Sequence, residues 1–187
     1  MNPIDKKLEI LRISNEESNR ITRESIQTAL IYLMNKRDIQ DITVTELVNK
    51  AGVSRAAFYR NYNNTRDVLF DFSKNVLELF AASLSNIDYA HNIYEWYRFL
   101  FKQLKNNAKV MGLLLKANID FSGYLVSSFE CNDTLDEYRL LALGEGVFGI
   151  IKRWFNTGMR ETPNEMAKLC QELFPQTELI FNSNNNY

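Results

Sequence analysis

Basic, aromatic and small residues follow Ser54 in an order whose chemistry matches the binding of double-stranded DNA. On a helix that begins there, Arg55, Tyr59 and Arg60 point away from the packed side. Ala56 lies on the same outward side. Guanidinium and phenol groups donate hydrogen bonds to phosphates and base edges, and a small side chain allows close approach in the major groove. The pattern predicts a helix that contacts DNA.

The preceding residues have the signals of a second helix and of a tight turn between the two. Thr43 and Glu46 form a capping box, in which each side chain accepts a hydrogen bond from the other residue's backbone amide. Gly52 can adopt the left-handed conformation that ends a helix sharply, and Ser54 caps the helix that follows. Two short helices joined by such a turn are typical of a helix-turn-helix. A helical hairpin in an unrelated bundle is the alternative.

Helices are also predicted along the rest of the chain. Glycine and proline are scarce, with 7 and 3 residues in 187, which favours helices over turn-rich β structure. Apolar residues recur at helical spacing, as in Ile26, Leu30 and Leu33. The fold class is therefore predicted to be all-α. The predicted helices span 20–36, 43–50, 54–61, 65–86, 92–106, 108–117, 119–130, 136–157 and 163–174.

The formal charge is unevenly distributed. The whole sequence has a net charge of −1, which by itself argues against a nucleic-acid-binding protein, because such domains are usually basic. Residues 20–66 contain eight basic and four acidic residues, a net charge of +4, whereas residues 67–187 carry −4. The total is thus an average over a basic module and an acidic remainder. This asymmetry favours a nucleic-acid partner for the basic module.

Residues 21–69 resemble the DNA-binding domain of TetR-family bacterial transcriptional regulators. The match is strongest in Ile42-Thr43-Val44-Thr45-Glu46-Leu47, Ala51-Gly52-Val53-Ser54-Arg55 and Phe58-Tyr59-Arg60-Asn61-Tyr62. The resemblance implies that residues 54–61 form the recognition helix and that Thr43, Tyr59 and Asn61 lie near phosphates. The predicted DNA contacts are Thr43, Thr45, Ser54, Arg55, Ala56, Tyr59, Arg60, Asn61 and Thr65.

The chain departs from the family pattern at two positions of this domain. Ala57 stands where Thr is common, and Thr65 stands where a Lys usually contacts backbone phosphate. Thr65 can still cap its helix, and Arg66 beside it can supply charge. A lost phosphate contact weakens binding to every sequence and reduces the salt dependence. The alternative function is therefore a co-regulator that acts mainly through protein–protein contacts, with a weakened DNA-binding module.

The C-terminal part resembles the ligand-sensing and dimerisation domain of one TetR subgroup from low-GC Gram-positive bacteria. The similarity lies in residues 146–159 and 162–167. Two apolar helices from each of two chains would form a symmetric four-helix interface, and a single-chain core is the alternative. The predicted dimer-interface residues are Leu140, Leu143, Gly144, Val147, Ile151, Trp154, Met166, Leu169 and Leu173.

The middle of the chain is rich in aromatic residues, which predicts a pocket for a small, partly apolar effector. The candidate pocket residues are Tyr97, Phe101, Phe121, Tyr124 and Tyr138, with ordinary core packing as the alternative. His91 has no neighbouring Cys or His in sequence, so we expect no metal site and no cofactor. Cys131 and Cys170 are interpreted as reduced thiols, with a redox switch as the alternative.

The remaining features exclude other classes of protein. No glycine-rich phosphate loop, paired catalytic carboxylates or nucleophile elbow is present, so we do not expect an enzyme. The sequence contains no membrane-spanning or signal segment, and a cytoplasmic location is expected. The predicted domains are an N-terminal extension (1–17), the helix-turn-helix domain (18–66), the sensing and dimerisation domain (67–181) and a disordered tail (182–187).

These observations predict a homodimeric, ligand-responsive transcriptional regulator, expected to be a repressor, that binds a palindromic operator in double-stranded DNA. Effector binding is expected to move helix 65–86 and to change the separation of the two DNA-reading heads.

Overall fold

Nine α-helices and one 3-10 turn make up the regular structure in a computed structural model of the chain, which describes residues 2–85, 92–127 and 133–175. No strand is present in these described ranges, so the all-α prediction is confirmed. The 3-10 turn spans Ile39–Asp41. The helices are α1 (Pro3–Met34), α2 (Val44–Ala51), α3 (Arg55–Tyr59), α4 (Thr65–Ser85), α5 (Ile93–Asn106), α6 (Ala108–Lys116), α7 (Ser122–Val126), α8 (Thr134–Asn156) and α9 (Pro163–Leu173).

The chain divides into two compact units, Met1–Lys74 and Asn75–Tyr187. The division falls within α4, after the domain boundary predicted at residue 66. In the first unit, α1, α2, α3 and the start of α4 enclose one apolar core. Its fully buried side chains come from all four helices and are Ile26, Leu30, Leu47, Phe58 and Val68.

Helix α1 is longer than the sequence analysis predicted. It runs without interruption from Pro3 to Met34, through the segment that was interpreted as a separate N-terminal extension. Proline at the first helical position is tolerated, and no Gly or Pro follows it to break the helix. Ion pairs between Arg12 and Glu16 and between Arg20 and Glu24 connect successive turns. Residues 5–21 are exposed, so this part of α1 forms a solvated helix.

The second unit has its core between α5, α8 and α9. Trp96, Tyr97 and Phe101 of α5 are buried, and the Phe101 ring meets Trp154 of α8 edge-on at 5.2 Å between centroids. The Trp154 indole N–H donates to the carbonyl of Glu161, 3.2 Å away, at the turn before α9. Among the described residues, none of the helices combines the length and apolarity that crossing a bilayer requires.

Candidate nucleic-acid interface

The two helices of the predicted helix-turn-helix begin and end at the capping and turn residues predicted from the sequence. The capping box is confirmed, since the Glu46 amide donates to Thr43 Oγ1 at 3.2 Å and the Thr43 amide to Glu46 Oε2 at 3.0 Å. Gly52 has a φ of +69°, the left-handed conformation that terminates α2. The Val53 amide then bonds the carbonyl of Val48 at 3.1 Å, which closes the turn. Short-range hydrogen bonds therefore define the turn between α2 and α3.

Helix α3 presents the outward face predicted for it. Ser54 caps it by accepting from the Ala57 amide at 3.0 Å. Phe58 is fully buried in the core of the first unit. Arg55, Ala56, Tyr59 and Arg60 are exposed, and more than half of the Tyr59 side chain is open to solvent. α3 has only five helical residues, Arg55–Tyr59, so the recognition segment is shorter than the predicted 54–61.

Two of the predicted DNA contacts lie against each other. The guanidinium of Arg55 donates to Thr45 Oγ1 at 3.0 Å, which joins the start of α3 to the first turn of α2. Arg side chains lose much rotamer freedom when they bind, so a partner that holds the guanidinium beforehand lowers that cost. Thr45 therefore preorganises Arg55 at the exposed face of α3.

The arginines of the module that have no ion pair in the described ranges are concentrated around α3. Carboxylates in the same unit pair with three of its arginines, Arg20, Arg23 and Arg37. Arg55, Arg60 and Arg66 are exposed, and within the part of the chain that the structure describes they form no ion pair. These three lie at the start of α3, at its end and in the first turn of α4. The arginines of the module that have no ion pair in the described ranges thus lie on one pair of helices.

Thr43 is hydrogen-bonded within the chain at the place where a phosphate contact was predicted. Its hydroxyl donates to Glu46 Oε2 at 2.8 Å, and its amide donates to the same carboxylate. Arg37 binds the other carboxylate oxygen at 2.7 Å. Hydrogen bonds from Thr43 and Arg37 lower the pKa of Glu46 to about 2. A phosphate contact by the Thr43 hydroxyl therefore requires it to leave Glu46.

The residue that caps α4 is not the one predicted from the sequence. Asn64, not Thr65, caps the helix, because its Oδ1 accepts from the Asp67 amide at 3.0 Å. Thr65 is the first helical residue, one position too late to act as the cap. Asn61, another predicted DNA contact, uses its amide Nδ2 to bond the carbonyl of Ala57 at 2.9 Å.

A cluster around Asp71 of α4 was not predicted from sequence. Its carboxylate accepts hydrogen bonds from Tyr62 Oη at 2.7 Å, Gln27 Nε2 at 2.7 Å and Arg23, whose Nη2 lies 2.6 and 2.7 Å from the two oxygens. Burial opposes ionisation of Asp71, but the hydrogen bonds from Arg23 and Tyr62 outweigh it and hold its pKa below the usual value. No periodicity or motif connects residues so far apart in sequence.

The predicted dimer-interface residues separate into two sets. Seven are buried within the second unit itself: Leu140, Leu143, Gly144, Val147, Ile151, Trp154 and Met166. They face their own chain, as the contact of Trp154 with Phe101 illustrates. Leu169 and Leu173 of α9 are exposed, by 39% and 57%. A groove of about 390 Å³ between α8 and α9 is lined by residues that include Leu169 and Gly149.

The five candidate pocket residues also lie in different surroundings. Tyr97, Phe101 and Phe121 are almost completely buried, and the Phe121 ring packs edge-on against Phe148 at 4.7 Å. Tyr124 is half-buried, and Tyr138 is 66% exposed on α8. The aromatic pocket stays a prediction.

The remaining candidates for metal or redox chemistry lie partly outside the described residues, as His91 and Cys131 do. Cys170 is buried, and burial raises the pKa of its thiol to about 12. Within the described ranges, no group of three or more His, Cys, Asp or Glu side chains could hold a metal ion.

Comparison with known proteins identifies a TetR-type family model over residues 121–176, described as "Transcriptional regulator C-terminal region". No curated protein sequence matches the chain. Among solved structures, a TetR transcriptional regulator from Streptococcus agalactiae 2603V is 17% identical, with a TM-score of 0.64, over 87% of this chain and 98% of that one.

Two further structures share the fold. The fatty acid degradation regulator FadR from Bacillus halodurans is 17% identical over 81% of this chain and 93% of that chain, with a TM-score of 0.54. The dihydroxyacetone kinase operon activator DhaS is 16% identical over 86% and 97%, also with a TM-score of 0.54. The similarity extends over most of each chain, so it includes both compact units.

Proposed function

We propose that the chain is a TetR-type transcriptional regulator, which binds a palindromic operator in double-stranded DNA as a homodimer and represses transcription until a small-molecule effector binds. The observation that carries this proposal is the exposed face of α3. There Arg55 donates a hydrogen bond to Thr45, and Arg60 at the end of α3 and Arg66 in the first turn of α4 have no carboxylate partner among the described residues. Such an arrangement can contact base edges and phosphates together.

The experiment starts from DNA selected by the wild-type protein from a random-sequence duplex library. Electrophoretic shift and fluorescence anisotropy then measure the affinity of the selected duplex for wild type, Arg55→Ala and Tyr59→Ala. Loss of a bidentate base contact costs about 1–3 kcal/mol, a loss of roughly 5- to 150-fold in affinity. Arg20→Ala is the matched control, because that arginine is exposed but pairs with Glu17 and Glu24. Unchanged binding by both α3 variants would exclude α3 as the recognition helix.

The selected sequence also tests the dimer. Two identical heads related by a twofold axis read half-sites about 34 Å apart, so the recovered DNA should be a palindrome with this spacing. An asymmetric single half-site, bound by one protein molecule, would contradict the homodimer.

The surface proposed for dimerisation is the exposed side of α8 and α9. Leu141, Leu169 and Leu173 expose 56%, 39% and 57% of their side chains there. A Cβ added at Gly149, in the groove between the two helices, meets nothing within 4 Å. Apolar side chains beside an unfilled groove favour a second copy of the same helices.

Light scattering of Leu173→Glu tests this surface, because a carboxylate buried in an apolar interface is costly. The mass should fall from that of a dimer to that of a monomer. Leu79→Glu is the control, since Leu79 is 75% exposed on α4. A dimer that survives in Leu173→Glu would exclude this surface.

The effector is proposed to bind the second unit near the aromatic residues of α5 and α7 and to act through α4, whose single helix contains the division between the units. A thermal-shift screen of small apolar acids and amines identifies compounds that raise Tm. A true effector must also change the affinity for the selected duplex. The size of that change is set by the difference in the effector's own affinity for the DNA-binding and the non-binding conformations of the protein. Compounds that raise Tm without changing DNA affinity would contradict this regulation.

The second candidate function is a co-regulator that acts mainly through protein contacts. Two observations favour it: the hydroxyl of Thr43 is bonded to Glu46, and Thr65 brings no positive charge to the start of α4. If the selection recovers no duplex, and the region upstream of the chain's own gene shifts only when a second regulator is added, this candidate replaces the first.

A further inference from the structure

Asp71 lies on α4, and its carboxylate bonds Tyr62, which follows α3 in the chain. We propose that Asp71 is a positioning residue for DNA recognition, whose carboxylate fixes α3 relative to α1 and α4 and thereby sets the operator affinity. The inference rests on the proposed DNA binding and adds a means of regulating it.

The carboxylate connects three separate segments of the first unit. Gln27 and Arg23 come from α1, Tyr62 comes from the turn after α3, and Asp71 itself lies in the second turn of α4. The four donor–acceptor distances lie between 2.6 and 2.7 Å. Hydrogen bonds to a charged acceptor are about twice as strong as neutral ones. The cluster therefore holds the corner between α3 and α4 more firmly than packing alone.

Tyr62 transmits the constraint to α3. Its amide donates to the carbonyl of Phe58 at 2.9 Å, so Tyr62 is bonded directly to the last turn of the helix. Its ring also packs against the ring of Phe58, with 6.0 Å between centroids. Because α3 has only five residues, it has few internal hydrogen bonds of its own. Its orientation depends on the residues that anchor its ends.

The cluster is also sensitive to the position of α4. N–H···O and O–H···O bonds weaken beyond about 3.2 Å, so from 2.7 Å a relative shift of about 0.5 Å between α4 and α1 is enough to strain them. Any movement of α4 along its axis displaces Asp71 from Gln27 and Arg23. Effector-driven movement of α4 would thus reach α3 through this carboxylate.

Tyr62 is 5% exposed, which separates a positioning role from a DNA contact. A phenylalanine at this position keeps the ring and its packing but removes the hydroxyl that bonds Asp71. Substitution of Tyr62 by Phe therefore loosens the corner without removing a group that could touch DNA. Asp71→Asn likewise loosens the corner without removing a group that could touch DNA, because it keeps the size of the side chain and removes its charge.

The test measures the affinity of the selected duplex for Tyr62→Phe, Asp71→Asn and the double variant, by fluorescence anisotropy at several salt concentrations. Each single variant should bind about three- to tenfold more weakly, because only part of the free energy of a lost hydrogen bond to a charged group is expressed as a change in binding. The double variant should lose less than the sum of the two single losses, since both changes weaken the shared contact between Tyr62 and Asp71. The slope of log K against log salt should stay at the wild-type value, because no phosphate contact is lost.

Ile26→Val is the matched control for a purely structural effect. Ile26 is fully buried in the same unit, and its truncation lowers the stability of that unit without touching the cluster. Urea unfolding gives the loss of stability in each variant. The inference is overturned if Tyr62→Phe and Asp71→Asn bind the duplex like the wild type, or if Ile26→Val weakens binding equally at an equal loss of stability. A wild-type protein that selects no duplex refutes the proposed function itself.

Discussion

Replacement of Arg60 by Gln should flatten the salt dependence of DNA binding, whereas replacement of Arg20 by Gln should leave it unchanged. Both substitutions remove one positive charge, so they change the net charge of the chain equally. Arg60 ends α3, is exposed, and has no ion pair within the described part of the chain. Arg20 is also exposed but lies between Glu17 and Glu24 on α1. Only Arg60 is therefore free to bind a phosphate and to release the counterion bound there.

The expected size follows from the number of contacts. Each phosphate contact contributes about 0.9 to the slope of log K against log salt, so a homodimer that loses one contact per subunit changes its slope by about 1.8. Between about 50 and 200 mM salt, this change amounts to about a tenfold smaller loss of affinity for Arg60→Gln than for the wild type. Fluorescence anisotropy with the selected duplex measures the slope. Equal slopes for wild type and Arg60→Gln, or a reduced slope for Arg20→Gln, would refute the assignment.

Three further predictions concern stability and reactivity. Gly52→Ala should lower the free energy of unfolding by about 1–2 kcal/mol, because φ is +69° there, and Gly52→Asn should cost less; urea titration measures both. Glu46 has its pKa lowered to about 2 in the folded state, so its stabilising effect is complete above the unfolded value of 4.5 and is lost as the pH falls from there towards 2. The unfolding midpoint of Glu46→Gln should therefore depend less on pH in that interval. In a Cys131→Ser background, Cys170 should react slowly with a disulfide reagent at pH 8 until urea is added, since burial raises its pKa to about 12; fast reaction of the native protein would contradict this burial.

Local signals explain why the helix-turn-helix was predictable. The capping box of Thr43 and Glu46, the left-handed Gly52 and the cap at Ser54 each depend on residues within four positions. In the Asp71 cluster, the three partners of Asp71 lie 9, 44 and 48 positions away from it in sequence. An Asp within a predicted helix does not by itself indicate such distant partners. Long-range polar contacts depend on the folded arrangement of helices, which a single sequence does not specify.

The C-terminal helices illustrate a different limit. Helix α8 has two apolar sides, one that includes Leu140 and Val147 and another that includes Leu141. Periodicity predicts that both are covered, but it does not tell which side faces the chain itself. In the folded chain the first side is buried, in part by α7 and by Phe101 of α5, and Leu141 is 56% exposed. The exposed side is therefore the one proposed for a second copy.

The charge of the module becomes more informative when its ion pairs are known. A net charge of +4 over residues 20–66 does not by itself identify a binding face, since the eight cations are spread over α1, the turn after it, α2, α3 and the start of α4. Carboxylates compensate Arg20, Arg23 and Arg37, and the ammonium groups of Lys36 and Lys50 both lie over the ring of Tyr32, at 4.6 and 3.7 Å. The arginines that remain are those at α3 and the start of α4. Because a paired guanidinium must lose its partner before it binds phosphate, these arginines are the ones best placed for the proposed phosphate contacts.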